Sequence, residues 1–127
     1  MNLDLTHKTA FVCGSTQGIG KAAAIELALL GAKVVLIARN EAALKIAVTE
    51  IDAINQQKND FIVADFSVPD ELKNALDKYI SSKGAAHILV NNTGGPPAGK
   101  ITDAKTQDFL SAFNNHLICN HLLTEAV

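Results

Sequence analysis

Apolar positions along the chain follow two alternating rhythms. Short runs rich in β-branched and apolar residues, Thr9–Cys13, Lys33–Ala38, Asp60–Ala64 and His87–Asn91, read as strands. Between and after them lie longer stretches with apolar positions three and four apart, Ile19–Leu30, Glu41–Gln57, Val68–Ser82 and Lys105–Val127, which read as helices. Phe11-Val12, Val34-Val35-Leu36-Ile37 and Ile88-Leu89-Val90 are apolar without a break, so these strands need cover on both faces, as in a parallel sheet between layers of helices. The alternation predicts a doubly wound α/β fold. Right-handed crossovers place the third, second and first strands side by side, with the fourth on the other side of the first. The crevice beside the first strand is then the expected ligand site.

Punctuation supports the boundaries. Gly31 and Gly84 stand where helices should end in left-handed caps, and Ser67-Val68-Pro69-Asp70 reads as a capping box with proline in the first turn. No repeat, low-complexity tract or linker divides the sequence, so residues 1–127 are read as one domain.

Composition narrows the function. At 127 residues and 48% hydrophobic content the chain can bury a real core. A formal charge of −2, with both signs scattered, leaves no basic stripe for nucleic acid or for an anionic membrane surface. Met1 to Thr9 lacks the pattern of a signal peptide, and the most apolar stretch, Ile25 to Ala38, is interrupted by Glu26, Gly31 and Lys33. The expectation is a cytoplasmic protein with no membrane partner. Cys13 and Cys119 belong to no CxxC motif, which fits buried thiols in a reducing compartment. Cys119 lies near His116 and His121, but these two are five apart, whereas a zinc pair on a helix wants a spacing of four, so no metal is expected.

The first strand runs into Cys13-Gly14-Ser15-Thr16-Gln17-Gly18-Ile19-Gly20 and then a helix. This pattern supplies a tight turn, backbone able to approach a pyrophosphate, and a helix N-terminus whose free N–H groups and dipole face the anion. Three more polar clusters close the other strands: Arg39-Asn40, Asp65-Phe66 and Asn91-Asn92-Thr93-Gly94. Taken in order, the four clusters resemble those of the short-chain dehydrogenase/reductase family, whose glycine motif is Thr-Gly-x-x-x-Gly-Ile-Gly. The likeness is to the family's N-terminal, cofactor-binding part, of the 3-oxoacyl-carrier-protein-reductase-like kind. Cys13 stands in the Thr position, and Thr93 in the Ala position of the family's Asn-Asn-Ala-Gly.

The resemblance implies a Rossmann domain, incomplete at its C-terminal side and ending before the family's catalytic Ser, Tyr and Lys. It implies a cofactor held by Gly14, Ser15, Thr16, Gln17, Gly18, Ile19, Gly20, Arg39, Asn40, Asp65, Phe66, Asn91, Asn92, Thr93 and Gly94. An NAD-preferring protein presents a carboxylate to the ribose 2′-hydroxyl at the end of the second strand; here Ala38 fills that place and Arg39 follows. A guanidinium suits a 2′-phosphate, so NADP(H) is preferred, with NAD(H) possible. In relatives the Asp matching Asp65 accepts from the adenine amino group, although a turn residue ahead of Ser67 is the plainer reading. His116 stands where the family's last helix here carries an Asn of the proton relay, which makes it a catalytic candidate. Phe109, Phe113 and Leu117 read as helix core, and in relatives this helix also forms part of a dimer face, so a homo-oligomer is expected.

The function so implied is NAD(P)H-dependent carbonyl reduction or alcohol oxidation on a small-molecule substrate, the 127-residue chain alone being inactive and its last strand an uncovered edge. Two alternatives are a module that senses NADPH without turnover and a methyltransferase; Ala38-Arg39 argues against the second. Tyr79-Ile-Ser-Ser-Lys83 has the family's Tyr-x-x-x-Lys spacing but precedes the fourth strand, and the Leu72, Ala75, Leu76, Tyr79 stripe should face the sheet. It is read as a decoy.

Overall fold

The computed structural model describes residues 3–127. In chain order the elements are β1 (Thr9–Cys13), α1 (Gly18–Leu29), β2 (Lys33–Ala38), α2 (Glu41–Asn55), β3 (Asp60–Val63), α3 (Pro69–Lys83), β4 (Ile88–Val90), α4 (Thr106–Phe113) and α5 (Cys119–Ala126). A 3-10 turn at Ile101–Asp103 precedes α4, and a π-helical turn, Asn114–Ile118, joins α4 to α5. All pairings are parallel and the order is β3-β2-β1-β4, as the crossover rule predicts. Val12 lies between Leu36 and Val90, and Ala38 lies beside Val63. The four predicted clusters therefore leave the sheet along one edge.

Strand alternation builds two cores. Phe11, Cys13, Val35 and Ile37 point to one face and pack with Leu72, Leu76, Cys119 and Leu123. Val12, Val34 and Leu36 point to the other and pack with Ala24, Ala28, Leu44, Ala47 and Ile51. Both faces are apolar because both are covered, and each buried large side chain contributes about 1.5–3 kcal/mol. No helix among the described residues is long and apolar enough to cross a membrane.

Three expectations are corrected. The last helix is not one uniform helix over Lys105–Val127, since the π turn interrupts it. Phe109, Phe113 and Leu117 are not core: they are 54%, 53% and 55% exposed, whereas Cys119 and Leu123 are buried. The half-buried positions of the π turn include Asn115 and His116, and the segment enters the core only further on, through Cys119 and Leu123. Ser67 does not cap α3. Its N–H and Oγ both donate to Asp65 Oδ1, at 2.8 and 2.7 Å, and Val68 takes the N-cap position without a side-chain bond. Asp65 makes a tighter local turn and so captures the groups the cap would have used. Gly31 and Gly84 do carry the positive φ expected at helix ends, +95° and +91°.

Candidate cofactor site

The turn from β1 into α1 is held by atoms that leave no room for side chains. Gly14 has φ +56°, and a Cβ there would stand 2.6 Å from the Asn92 carbonyl oxygen. A Cβ on Gly20 would run into the Gly14 carbonyl oxygen and stand 2.8 Å from Asn92 Nδ2. Asn92 closes the arrangement: its Nδ2 donates to the carbonyls of Cys13 and Gly14 at 3.2 and 3.3 Å. The Ile37 N–H donates to buried Ser15 Oγ at 3.2 Å, and the Gly14 N–H donates to the Ile37 carbonyl at 2.9 Å. Ser15 thus pins the turn to β2 rather than facing a ligand. Gln17, Gly18 and Ile19 lie exposed at the rim, with Thr16 half-buried behind them.

The N-terminus of α1 is open. Gln17 precedes it without a side-chain cap, and its first turn carries no acid. By contrast, Asn40 Oδ1 accepts from the Ala43 N–H at 3.0 Å to cap α2, and acids occupy the first turns of α3 and α4. The first N–H groups of α1 meet no competing carboxylate, which suits an anionic ligand.

At the neighbouring strand ends Arg39 is exposed immediately after Ala38, while the Ala64 N–H donates to the Ala38 carbonyl at 3.0 Å. The bonds from Ser67, and then the Arg39 charge, hold the Asp65 carboxyl below the usual carboxylate range. Arg39 and Asp65 therefore share one electrostatic neighbourhood. Phe66 packs against the core, and its carbonyl accepts from Cys119 Sγ at 3.0 Å. Burial pushes the Cys13 thiol up to about 12, so it stays a neutral packing group.

After β4, Asn91 Nδ2 donates to Thr124 Oγ1 at 3.4 Å, and Thr93 Oγ1 lies 2.5 Å from His116 Nδ1. His116 Nε2 is buried without a hydrogen-bond partner, as are Asn115 Oδ1 and Asn120 Oδ1. The following loop is exposed from Gly94 to Ala104. With Asp108, Phe109 and Ala112 of α4, this loop borders an open pocket of 390 Å³, which no residue of the glycine turn lines.

Tyr79 lies elsewhere. Its hydroxyl donates to Asp60 Oδ2 at 3.1 Å, and its ring stands edge-on to Phe11 with centroids 5.6 Å apart. Burial, then the Asp60 charge, push its phenol up, the wrong direction for proton exchange near neutrality. Lys83 meets Asp60 Oδ2 as an ion pair and lies 5.3 Å from the Tyr79 ring centre. Asp60 opens β3, whereas the glycine turn follows the end of β1, so the pair sits at the opposite edge of the parallel sheet. The Lys83–Asp60 ion pair is absent from the sequence reading. Also absent from the sequence reading were the Asn92 grip on the glycine turn and the Thr93–His116 contact; their only signal was that Thr93 and His116 both depart from the family pattern.

A parallel sheet with a glycine turn at the open N-terminus of its first helix defines a nucleotide-binding α/β domain. Residues 8–127 match the family model described as short chain dehydrogenase, and the chain belongs to that family. It is 35% identical over 123 residues to an uncharacterized oxidoreductase of Schizosaccharomyces pombe, covering 94% of this chain and 36% of that protein. Over 93 residues it is 40% identical to 15-hydroxyprostaglandin dehydrogenase [NAD(+)] of Bos taurus, covering 72% of this chain and 35% of that one. The crystal structure of L-sorbose reductase from Gluconobacter frateurii, complexed with NADPH and L-sorbose, superposes with a TM-score of 0.91 at 27% identity, covering 100% of this chain and 48% of that one. The chain thus spans about a third of these curated relatives and about half of the sorbose reductase.

Proposed function

We propose that this chain is the NADP(H)-binding half of an oxidoreductase that reduces carbonyls or oxidises alcohols. The observation that carries the reading is an exposed Arg39 behind an acid-free Ala38, on the same strand edge as a glycine turn built around an uncapped helix. In this assignment the backbone from Gly14 to Gly20 receives the pyrophosphate, Arg39 and Asn40 the 2′-phosphate, Asp65 and Phe66 the adenine, and Asn91 to Gly94 the ribose beside the nicotinamide. Ser15 acts by pinning that backbone. The bound cofactor supplies the hydride, while a Ser, Tyr and Lys beyond these 127 residues would handle the carbonyl and its proton. The relatives include one named for NAD(+) and one complexed with NADPH; the residues after β2 favour the phosphorylated form.

The test is NADPH oxidation by the full-length protein over a panel of small carbonyl compounds. Cofactor-dependent turnover is expected. Binding without turnover on any of them would favour a sensor instead. In the same assay Tyr79→Phe is expected to retain wild-type turnover within about two-fold, since the hydroxyl serves only Asp60 and a single hydrogen bond of this kind is worth about 1 kcal/mol of stability. A fall of orders of magnitude with NADPH affinity intact would overturn that assignment.

The exposed row Phe109, Phe113 and Leu117 further supports self-association through α4, and the two buried thiols support a reducing, cytoplasmic compartment. Light scattering of the full-length protein is expected to give a dimer or larger species, reduced by Phe109→Asp with Phe113→Asp. A wild-type monomer at high concentration would contradict this.

A further inference from the structure

The contact between Thr93 and His116 joins two places that the cofactor assignment treats separately. Thr93 directly follows Asn92, whose amide holds the carbonyls of Cys13 and Gly14. His116 lies in the π turn, the one stretch of the last helical segment where the regular hydrogen-bond ladder is broken. Such turns widen a helix locally and re-aim the side chains they carry. Thr93 Oγ1 and His116 Nδ1 are within hydrogen-bond distance, both side chains are half-buried, and Nε2 is buried with no partner. The threonine hydroxyl is therefore the only hydrogen-bond partner of the imidazole among the described residues. It anchors the ring at Nδ1, donating to it or accepting from it according to the tautomer. Both residues also replace the family's usual ones, Ala and Asn, so the two departures meet each other.

We propose that Thr93 and His116 form one positioning unit, which ties the cofactor turn to the π turn and sets the geometry in which the turn receives the dinucleotide. The inference rests on the cofactor assignment above. A hydroxyl at residue 93 holds the segment that begins with Asn91 and Asn92 at a fixed distance from the last helix, and Asn92 passes that constraint to Gly14. Asn91, bonded to Thr124 eight residues beyond His116, provides only a longer and exposed second tie. In this role, apart from the ribose contact assigned to the Asn91–Gly94 segment, Thr93 and His116 act on the cofactor through the Asn92 amide and are positioning residues.

The test is a double-mutant cycle in the full-length protein, read as the dissociation constant for NADPH. Thr93→Val keeps the side-chain volume and removes the hydroxyl, while His116→Phe keeps a flat ring and removes both nitrogens. Each is expected to weaken NADPH about ten-fold, the double variant by no more than about ten-fold, and Thr93→Ser to restore wild-type affinity. Nitrogen NMR of the His116 ring supplies a readout that a merely structural role would not move: an Nδ1 resonance displaced by the hydroxyl contact in wild type and in Thr93→Ser, and shifted away from that position in Thr93→Val. Should Thr93→Val not fold, Thr93→Ala takes its place in the same comparison. Wild-type affinity in the hydroxyl-free variant, or losses that multiply in the double variant, would overturn the proposal while leaving the cofactor assignment standing. Failure of wild type to bind NADPH at all would overturn both.

Discussion

Gly20→Ala is expected to weaken NADPH binding about 100-fold while leaving a folded chain. The added methyl group would meet the Gly14 carbonyl oxygen, which is backbone, and the Asn92 side-chain amide, which its bonds to Cys13 and Gly14 hold in place. The turn must open to admit it, at about 1–3 kcal/mol for overpacking of this kind. Opening breaks the Asn92 bonds to Cys13 and Gly14 and moves the N–H groups of the turn away from the pyrophosphate position. Loss of two charge-assisted bonds, about 1.5 kcal/mol or more each, corresponds to ~100-fold in NADPH affinity. Gly14→Ala adds the strain of a non-glycine residue at φ +56° and is expected to lose more stability than Gly20→Ala. Gly95→Ala is the control: a Cβ there meets nothing within 4 Å and no positive φ is involved, so stability and affinity should be unchanged. Thermal unfolding and NADPH titration of the three variants check this. Equal affinity for NADPH in Gly20→Ala and Gly95→Ala would show that the turn does not receive the dinucleotide.

The second large effect is a change of cofactor preference. Arg39→Ala removes the only cation in the Arg39-Asn40 cluster and is expected to weaken NADPH by about 10–100-fold with NADH almost unaffected. Ala38→Asp places a carboxylate where the 2′-phosphate would lie, repelling NADPH and offering the NADH ribose an acceptor. The combined variant is expected to bind NADH more tightly than NADPH. High salt should narrow the wild-type preference, because the guanidinium is exposed. Loss of affinity for both cofactors in equal measure upon Arg39→Ala would place Arg39 outside the 2′-phosphate contact.

Much of this fold is written locally. The unbroken apolar runs of β1 and β2 required two covered faces, and the two cores supply them. Glycine, arginine, aspartate and asparagine clusters fell at successive strand ends, and a parallel sheet necessarily brings those ends to one edge. What failed depended on tertiary competition. The spacing of Phe109, Phe113 and Leu117 predicts an inward face, yet these three are exposed, Asn115 and His116 are half-buried, and the core contacts come from Cys119 and Leu123, because a π turn has no signature in apolar spacing. Ser67 lost its capping role to Asp65, two residues earlier, through a local bond that no helix pattern reveals. Thr93 and His116 are separated by 23 positions, and only the folded chain shows that they touch. Helical spacing did place Tyr79 against the sheet, where its ring meets Phe11.

The central claim is that the edge formed by Gly14–Gly20, Arg39, Asp65 and Asn91–Gly94 receives NADP(H). Equilibrium titration of the full-length wild-type protein with NADPH and with NADH, side by side at one ionic strength, tests it most directly. The predicted result is saturable binding of both, with NADPH about ten-fold or more tighter, the difference a phosphate–guanidinium contact supplies. Equal affinities, or no binding of either, would contradict it.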